Sequence, residues 1–111
     1  AFAYTDDVGL PVGFCCLSIN EQDNSGFVKF VVVDSTKRGK GYGTRMISKL
    51  LQYAFVIAEV DTVRISVFDT NPGAKRCYEN AGFTVQQYMP EAFSFKDEKW
   101  GRYILIKEKN Q

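Results

Sequence analysis

Pro11 to Ile19 carries no polar face. Val12, Phe14 and Cys16 alternate with Gly13, Cys15 and Leu17, and both sets are apolar. This predicts a strand buried on both sides. Phe27 to Val33 is apolar except for Lys29, the make-up of a central strand, and the polar run Asn20–Gly26 between the two reads as a hairpin loop. A short strand candidate, Ala3–Thr5, precedes them and closes on turn signals from Asp6 to Gly9. From Gly43 to about Glu59 the period changes. Met46, Ile47, Leu50, Leu51, Ala54, Phe55 and Ala58 recur every three or four residues, which predicts one amphipathic helix. Val63–Phe68 alternates again as a strand. Asp69-Thr70-Asn71 then caps a short helix with Pro72 in its first turn, striped by Ala74, Cys77, Tyr78 and Ala81 and ended by Gly82. Phe83–Met89 reads as a strand, Pro90 as part of a loop, and Trp100–Lys107 as a last strand antiparallel to it. The order is β-β-β-α-β-α-β-β, a mixed α/β sheet in which strand, helix and strand form a right-handed parallel crossover.

At the carboxyl end of the third strand, Val31-Val32-Val33 gives way to Asp34-Ser35-Thr36-Lys37-Arg38-Gly39-Lys40-Gly41-Tyr42-Gly43-Thr44-Arg45. Bare backbone N–H groups, a helix N-terminus and several cations meet there, which is how a chain binds phosphate. The loop is no Walker A sequence, because its Gly-Lys pair runs into glycine. It is no dinucleotide fingerprint either, because Thr44 stands where the third glycine belongs. A solvated basic loop is the plain alternative.

Arg38-x-x-Gly41-x-Gly43 resembles the (Gln/Arg)-x-x-Gly-x-(Gly/Ala) loop of the GNAT superfamily of acyl-CoA-dependent N-acetyltransferases. Asn71-Pro72-Gly73-Ala74-Lys75-Arg76-Cys77-Tyr78-Glu79-Asn80-Ala81-Gly82-Phe83 resembles that family's second signature, in the right order and at the right separation. The resemblance implies a GNAT-like fold and acetyl transfer from acetyl-CoA to an amine. It implies that backbone N–H groups of Arg38, Gly39, Lys40, Gly41, Tyr42, Gly43 and Thr44 cradle the pyrophosphate. It also implies that the backbone of Val31, Val32 and Val33 pairs with the pantetheine arm, Asn71 bonds the arm from the other side, and Tyr78 protonates the departing thiolate. Read from the residues alone, Asn71 is equally a helix cap and Tyr78 equally a packing aromatic. Many relatives carry a glutamate near the start of the central strand. Ser25 stands about there, so Asp34, Glu21, Asp23, Asp69 or a water chain remain as candidate bases and none is assigned. The family's core has a further strand and two helices at its N-terminus. The expectation is a single domain over residues 1–111 lacking them, with an acceptor wall and a sheet edge left for upstream residues or a homodimer partner to complete.

Composition narrows this further. The chain has 111 residues, 45% of them hydrophobic, enough for one domain with a real core. It has no histidine, which removes histidine bases, triads and histidine metal ligands. Its three cysteines make no disulfide framework and no Cys-x-x-Cys. No metal is expected. Free thiols, with no signal-like opening and no long apolar run, favour a cytoplasmic setting. A net charge of +1 with no basic stripe beyond the loop speaks against nucleic acid as a partner. The expected co-substrate is acetyl-CoA and the acceptor a small-molecule or peptide amine. The alternative is a non-catalytic CoA-binding or scaffold domain.

Overall fold

The computed structural model describes residues 2–5, 11–33 and 41–109. Its elements are β1 (Phe2–Thr5), β2 (Pro11–Asn20), β3 (Ser25–Val33), α1 (Tyr42–Gln52), β4 (Thr62–Phe68), α2 (Pro72–Asn80), β5 (Thr84–Phe95) and β6 (Glu98–Glu108). The six strands form one sheet in the order β1-β2-β3-β4-β6-β5. Only β3 and β4 are parallel, joined through α1 as the strand–helix–strand order predicts. The architecture is the expected mixed α/β fold with the expected element order.

Both helices lie on one face of the sheet. Alternate residues of β4 (Val63, Ile65, Val67) are buried there with Cys15, Val28 and Leu105, against Met46, Ile47, Leu50 and Leu51 of α1 and Tyr78 of α2. Arg64, Ser66 and Phe68 point to the opposite face, where Phe68, Phe93 and Trp100 form an aromatic cluster with centroids 5.4–5.8 Å apart. No helix among the described residues is long and apolar enough to cross a membrane.

Two elements differ from the periodicity. The helix expected from Gly43 to Glu59 is α-helical only to Gln52, and Tyr53–Ile57 forms a π-helical turn. The wider turn keeps Ala54 fully buried while Val56 and Ile57 face outward, and Val60 returns to the core. The expected loop at Pro90 is strand: β5 runs on to Phe95, and Lys96–Asp97 alone turn the chain, with Lys96 at φ 54°. Pro90 is tolerated because β5 is an outer strand, where a missing N–H breaks no ladder, and because the register shifts between Met89 and Phe93. Gly101 on β6 is a close approach: a Cβ there would collide with the Asp69 carboxylate and the Tyr88 hydroxyl, which hydrogen-bond each other at 2.8 Å.

Candidate functional site

β3 and β4 start as partners and then separate. Ser25–Val28 pair with Thr62–Ile65, and no pairing joins β3 to β4 beyond Val28 and Ile65, although both strands continue. On its other edge β3 stays bonded to β2, with a shift in register. Cys16 faces Lys29, but Phe14 faces Val32, so β3 spends one extra residue between them. That is a β-bulge, and a bulge bends and twists its strand. It falls at the point where β3 leaves β4. The resulting wedge is a cleft of about 580 Å³ lined by β3 (Phe27, Val28, Lys29, Val31), β4 (Ile65–Phe68), Thr70, Asn71 and Tyr78. Along the parted edges the backbone groups that would have bridged the strands are free for a ligand.

The cleft passes from one sheet face to the other. Val28, Val31, Ile65, Val67 and Tyr78 belong to the helix side, where Val31 packs on the core. Phe27, Lys29, Ser66 and Phe68 alternate with them and belong to the open side. Of the three valines singled out in the sequence, Val31 lines the cleft. Val32 and Val33 continue β3 past the point of separation, with their backbones bonded to β2.

α1 starts without a side-chain cap. Gly41 is its N-cap residue at φ 79°, the left-handed region that glycine adopts without strain, and its carbonyl accepts the Arg45 N–H at 3.1 Å. No acidic residue lies in the first turn. The N–H groups of Gly43 and Thr44 lie in the first turn, where the helix itself supplies no acceptor, and the helix dipole adds positive potential. Arg45 lies over the Tyr42 ring, 5.4 Å from its centroid. Thr44 donates its hydroxyl to Cys77 Sγ at 3.5 Å, so its side chain faces α2 and its backbone N–H is what it offers a ligand. An uncapped, acid-free helix start suits a phosphate group. Arg38, Gly39 and Lys40 lie outside the described residues.

Asn71 faces two ways. Its Oδ1 accepts the Ala74 N–H at 3.2 Å and caps α2, with Pro72 in the first turn. Its amide group also lines the cleft, where Nδ2 has no partner among the described residues. The helix-cap reading and the ligand reading are thus compatible.

Tyr78 is buried, 6% exposed, and its ring meets Phe83 edge-on at 6.4 Å. It packs, as the plain reading of the stripe expects. It also lines the cleft, and among the described residues its hydroxyl has no hydrogen-bond partner. Burial, with the thiols of Cys77 and Cys15 nearby, pushes its pKa up to about 12. The proton is therefore held across the neutral range. Cys15 shows what the same interior does to a thiol: burial, with Cys16 beside it, pushes it up to about 11. All three cysteines are free thiols.

Of the carboxylates considered as bases, the described ones, Glu21, Asp23 and Asp69, do not line the cleft. Asp23 accepts the Ser25 hydroxyl at 2.6 Å, Asp69 accepts that of Tyr88 at 2.8 Å, and Asp34 is outside the described residues. Among the described residues no three metal-binding side chains gather. Sequence reasoning missed Lys29, Ser66, Phe68 and Thr70 as lining residues. The available signal was Lys29, the one charge in an otherwise apolar strand.

Comparison with known proteins agrees with this geometry. The chain is 40% identical over 80 residues to N-alpha-acetyltransferase 30 of Xenopus laevis, a match covering 72% of this chain and 25% of that protein. It is 29% identical over 77 residues to spermidine N(1)-acetyltransferase of Vibrio cholerae, covering 69% of this chain and 42% of the relative. The match thus spans 25% and 42% of the length of these two relatives. The crystal structure of the Vibrio cholerae spermidine N-acetyltransferase with CoA and spermine superposes with a TM-score of 0.85 at 22% identity, over 96% of this chain and 63% of that one. A model of the acetyltransferase (GNAT) family matches residues 1–83, the stretch that holds the parted strands, the uncapped helix and Tyr78, and the chain belongs to that family.

Proposed function

We propose that residues 1–111 act as one N-acetyltransferase domain that transfers an acetyl group from acetyl-CoA to a primary amine, on a small molecule or a peptide. The reading rests on one observation: the parted β3–β4 edge, Asn71 and Tyr78, whose hydroxyl has no partner among the described residues, line one cleft, and the start of α1, which has no side-chain cap, is tied to α2 beside Tyr78 by the Thr44–Cys77 hydrogen bond. Bound acetyl-CoA supplies the thioester carbonyl that the amine attacks. N–H groups of Tyr42–Thr44, with the Arg38–Gly41 loop, take the pyrophosphate. Those backbone groups of Val31–Val33 that face away from β2 pair with the amide-bearing arm, and Asn71 Nδ2 donates to one of its carbonyls.

Attack forms an N–C bond, the C–S bond breaks, and the sulfur leaves needing a proton. Tyr78 holds one at neutral pH. Transfer from a phenol near 12 to a solvated thiolate, whose acid lies at about 8.5, would be uphill. Burial that raises the phenol raises a thiol in the same direction, so desolvation of the leaving sulfur narrows the gap. The amine must arrive neutral. With no carboxylate among the described lining residues, its proton leaves through water.

The test is to incubate the protein with acetyl-CoA and a panel of peptides and small amines, following thiol release and product mass together. Equal amounts of free thiol and acetylated amine are expected. CoA binding with no product from any amine would replace this reading with that of a non-catalytic CoA-binding domain.

A further inference from the structure

We infer that the amine acceptor of this cleft is a peptide α-amine followed closely by an acidic side chain, not a polycation, and that Lys29 sets the preference. The inference rests on the transferase reading above and concerns what approaches from the open face of the sheet.

Lys29 is the first residue of β3 past its last pairing with β4, and it lines the cleft. Alternation places it on the face away from the helices, beside Phe27 and opposite Cys16. A second depression, of about 390 Å³, continues from there over the open face. It is lined by Ser18, Asn20, Ser25, Phe27 and Lys29. Phe27 and Lys29 belong to both, so the two form one track from the reacting end of the cleft outward.

The chemistry of this track is specific. It offers hydroxyls, the amides of Asn20 and Asn71, the phenyl rings of Phe27 and Phe68, and one cation. Among the described residues that line it there is no carboxylate, and Lys29 has no ion-pair partner. Asp23 does not line the track, although its carboxylate accepts the Ser25 hydroxyl at the far end from Lys29. A polyamine laid here would bring an ammonium group to Lys29, which has no carboxylate among the lining residues beside it. A peptide meets better partners. Its amides find Ser18, the Nδ2 of Asn20 and the Oγ lone pairs of Ser25. An acidic side chain in its first residues finds Lys29. Like charges brought close discriminate between ligands at least as strongly as added attraction does.

The experiment compares kcat/KM for two peptides with the same first residue, one carrying Glu and one Lys at positions two and three, and for spermidine. The wild type is expected to favour the acidic peptide at least tenfold over both others. Lys29→Gln should flatten the ratio and Lys29→Glu should invert it, with thermal melts showing that both variants fold. A wild type that prefers spermidine or the basic peptide overturns the inference and leaves the transferase reading standing. So does a ratio that neither substitution moves. If no amine is acetylated at all, the transferase reading itself fails and takes this one with it.

Discussion

The two helices start in opposite ways. α2 is closed by its own sequence: Asn71 Oδ1 takes the Ala74 N–H, and Pro72 has no N–H to satisfy. α1 starts on a left-handed glycine, with no side-chain cap and no acid in its first turn. A side-chain cap contributes about 1 kcal/mol, so the chain forgoes stability at α1 that it takes at α2. The start of α2 lies on the cleft, and that of α1 is tied to α2 through the Thr44–Cys77 hydrogen bond. The difference teaches that an uncapped helix end is informative when the same chain shows it can cap one. At α1 no side chain caps the first-turn donors. At α2 they are satisfied, and only the spare end of the capping amide remains for a ligand.

Gly41→Val breaks the contrast most severely. Among the described residues a Cβ at Gly41 would meet only Arg45 Nη2, at 3.9 Å, an ordinary separation. The obstacles are the φ of 79°, which a β-branched residue adopts at a cost of about 1–3 kcal/mol, and the space a phosphate would need. Calorimetric titration with CoA should show binding lost by at least about a hundredfold, since several charge-assisted bonds of about 1.5–3 kcal/mol go together. Gly41→Asn, which tolerates the left-handed region, should fold as well as wild type and fall between the two. Undiminished CoA affinity in the folded Val variant would mean that the open helix end is not the phosphate site.

Part of this contrast is legible in the sequence. Asn71-Pro72 announces a cap, and glycine at 41 and 43 between cations announces an anion site, because both are local patterns. The parting of β3 from β4 is not local. It depends on one extra residue in β3 between the partners of Cys16 and Phe14, a matter of register that no strand reveals alone. The π turn at Tyr53–Ile57 escaped because Ala54, Phe55 and Ala58 satisfy a 3.6-residue period nearly as well. Pro90 misled because its cost depends on whether β5 is an edge, which the order β4-β6-β5 decides. Lys29 was visible as an odd charge, but its place on the cleft follows only once β4 is known to leave β3 there.

Tyr78→Phe comes next in size and probes the closed side of the cleft. With no hydrogen bond to lose among the described residues, the variant should fold with near-native stability at neutral pH and bind CoA as before. Loss of proton donation should lower kcat about ten- to a thousandfold with KM little changed. The same substitution has a second readout. The folded-state pKa near 12 lies above the unfolded value of 10, so the neutral phenol stabilises the fold fully below pH 10. That contribution drains away as pH rises from 10 to 12, by roughly 2–3 kcal/mol at about 1.4 kcal/mol per unit. Denaturant melts of wild type and variant should therefore run together to pH 10 and diverge above it, the Phe variant becoming the more stable. Full turnover together with parallel melts would make Tyr78 a packing residue only.

The smallest effect separates the two ends of Asn71. Asn71→Ala removes both the acceptor that caps α2 and the amide facing the cleft, so stability should fall by about 1 kcal/mol and CoA should bind more weakly. Asn71→Asp keeps the acceptor, since a carboxylate caps as well as an amide and complements the helix dipole. It removes the donor, which is all that Nδ2 could give a carbonyl on the arm. If the amide serves both helix and ligand, the Asp variant melts like wild type yet shows the raised KM for acetyl-CoA seen with Ala. If Asn71 is a cap and nothing more, KM follows stability, and the Asp variant is native in both. Chemical melts beside initial rates at limiting acetyl-CoA distinguish the outcomes, because only the Asp variant uncouples the hydrogen bond inside the chain from the one offered outward.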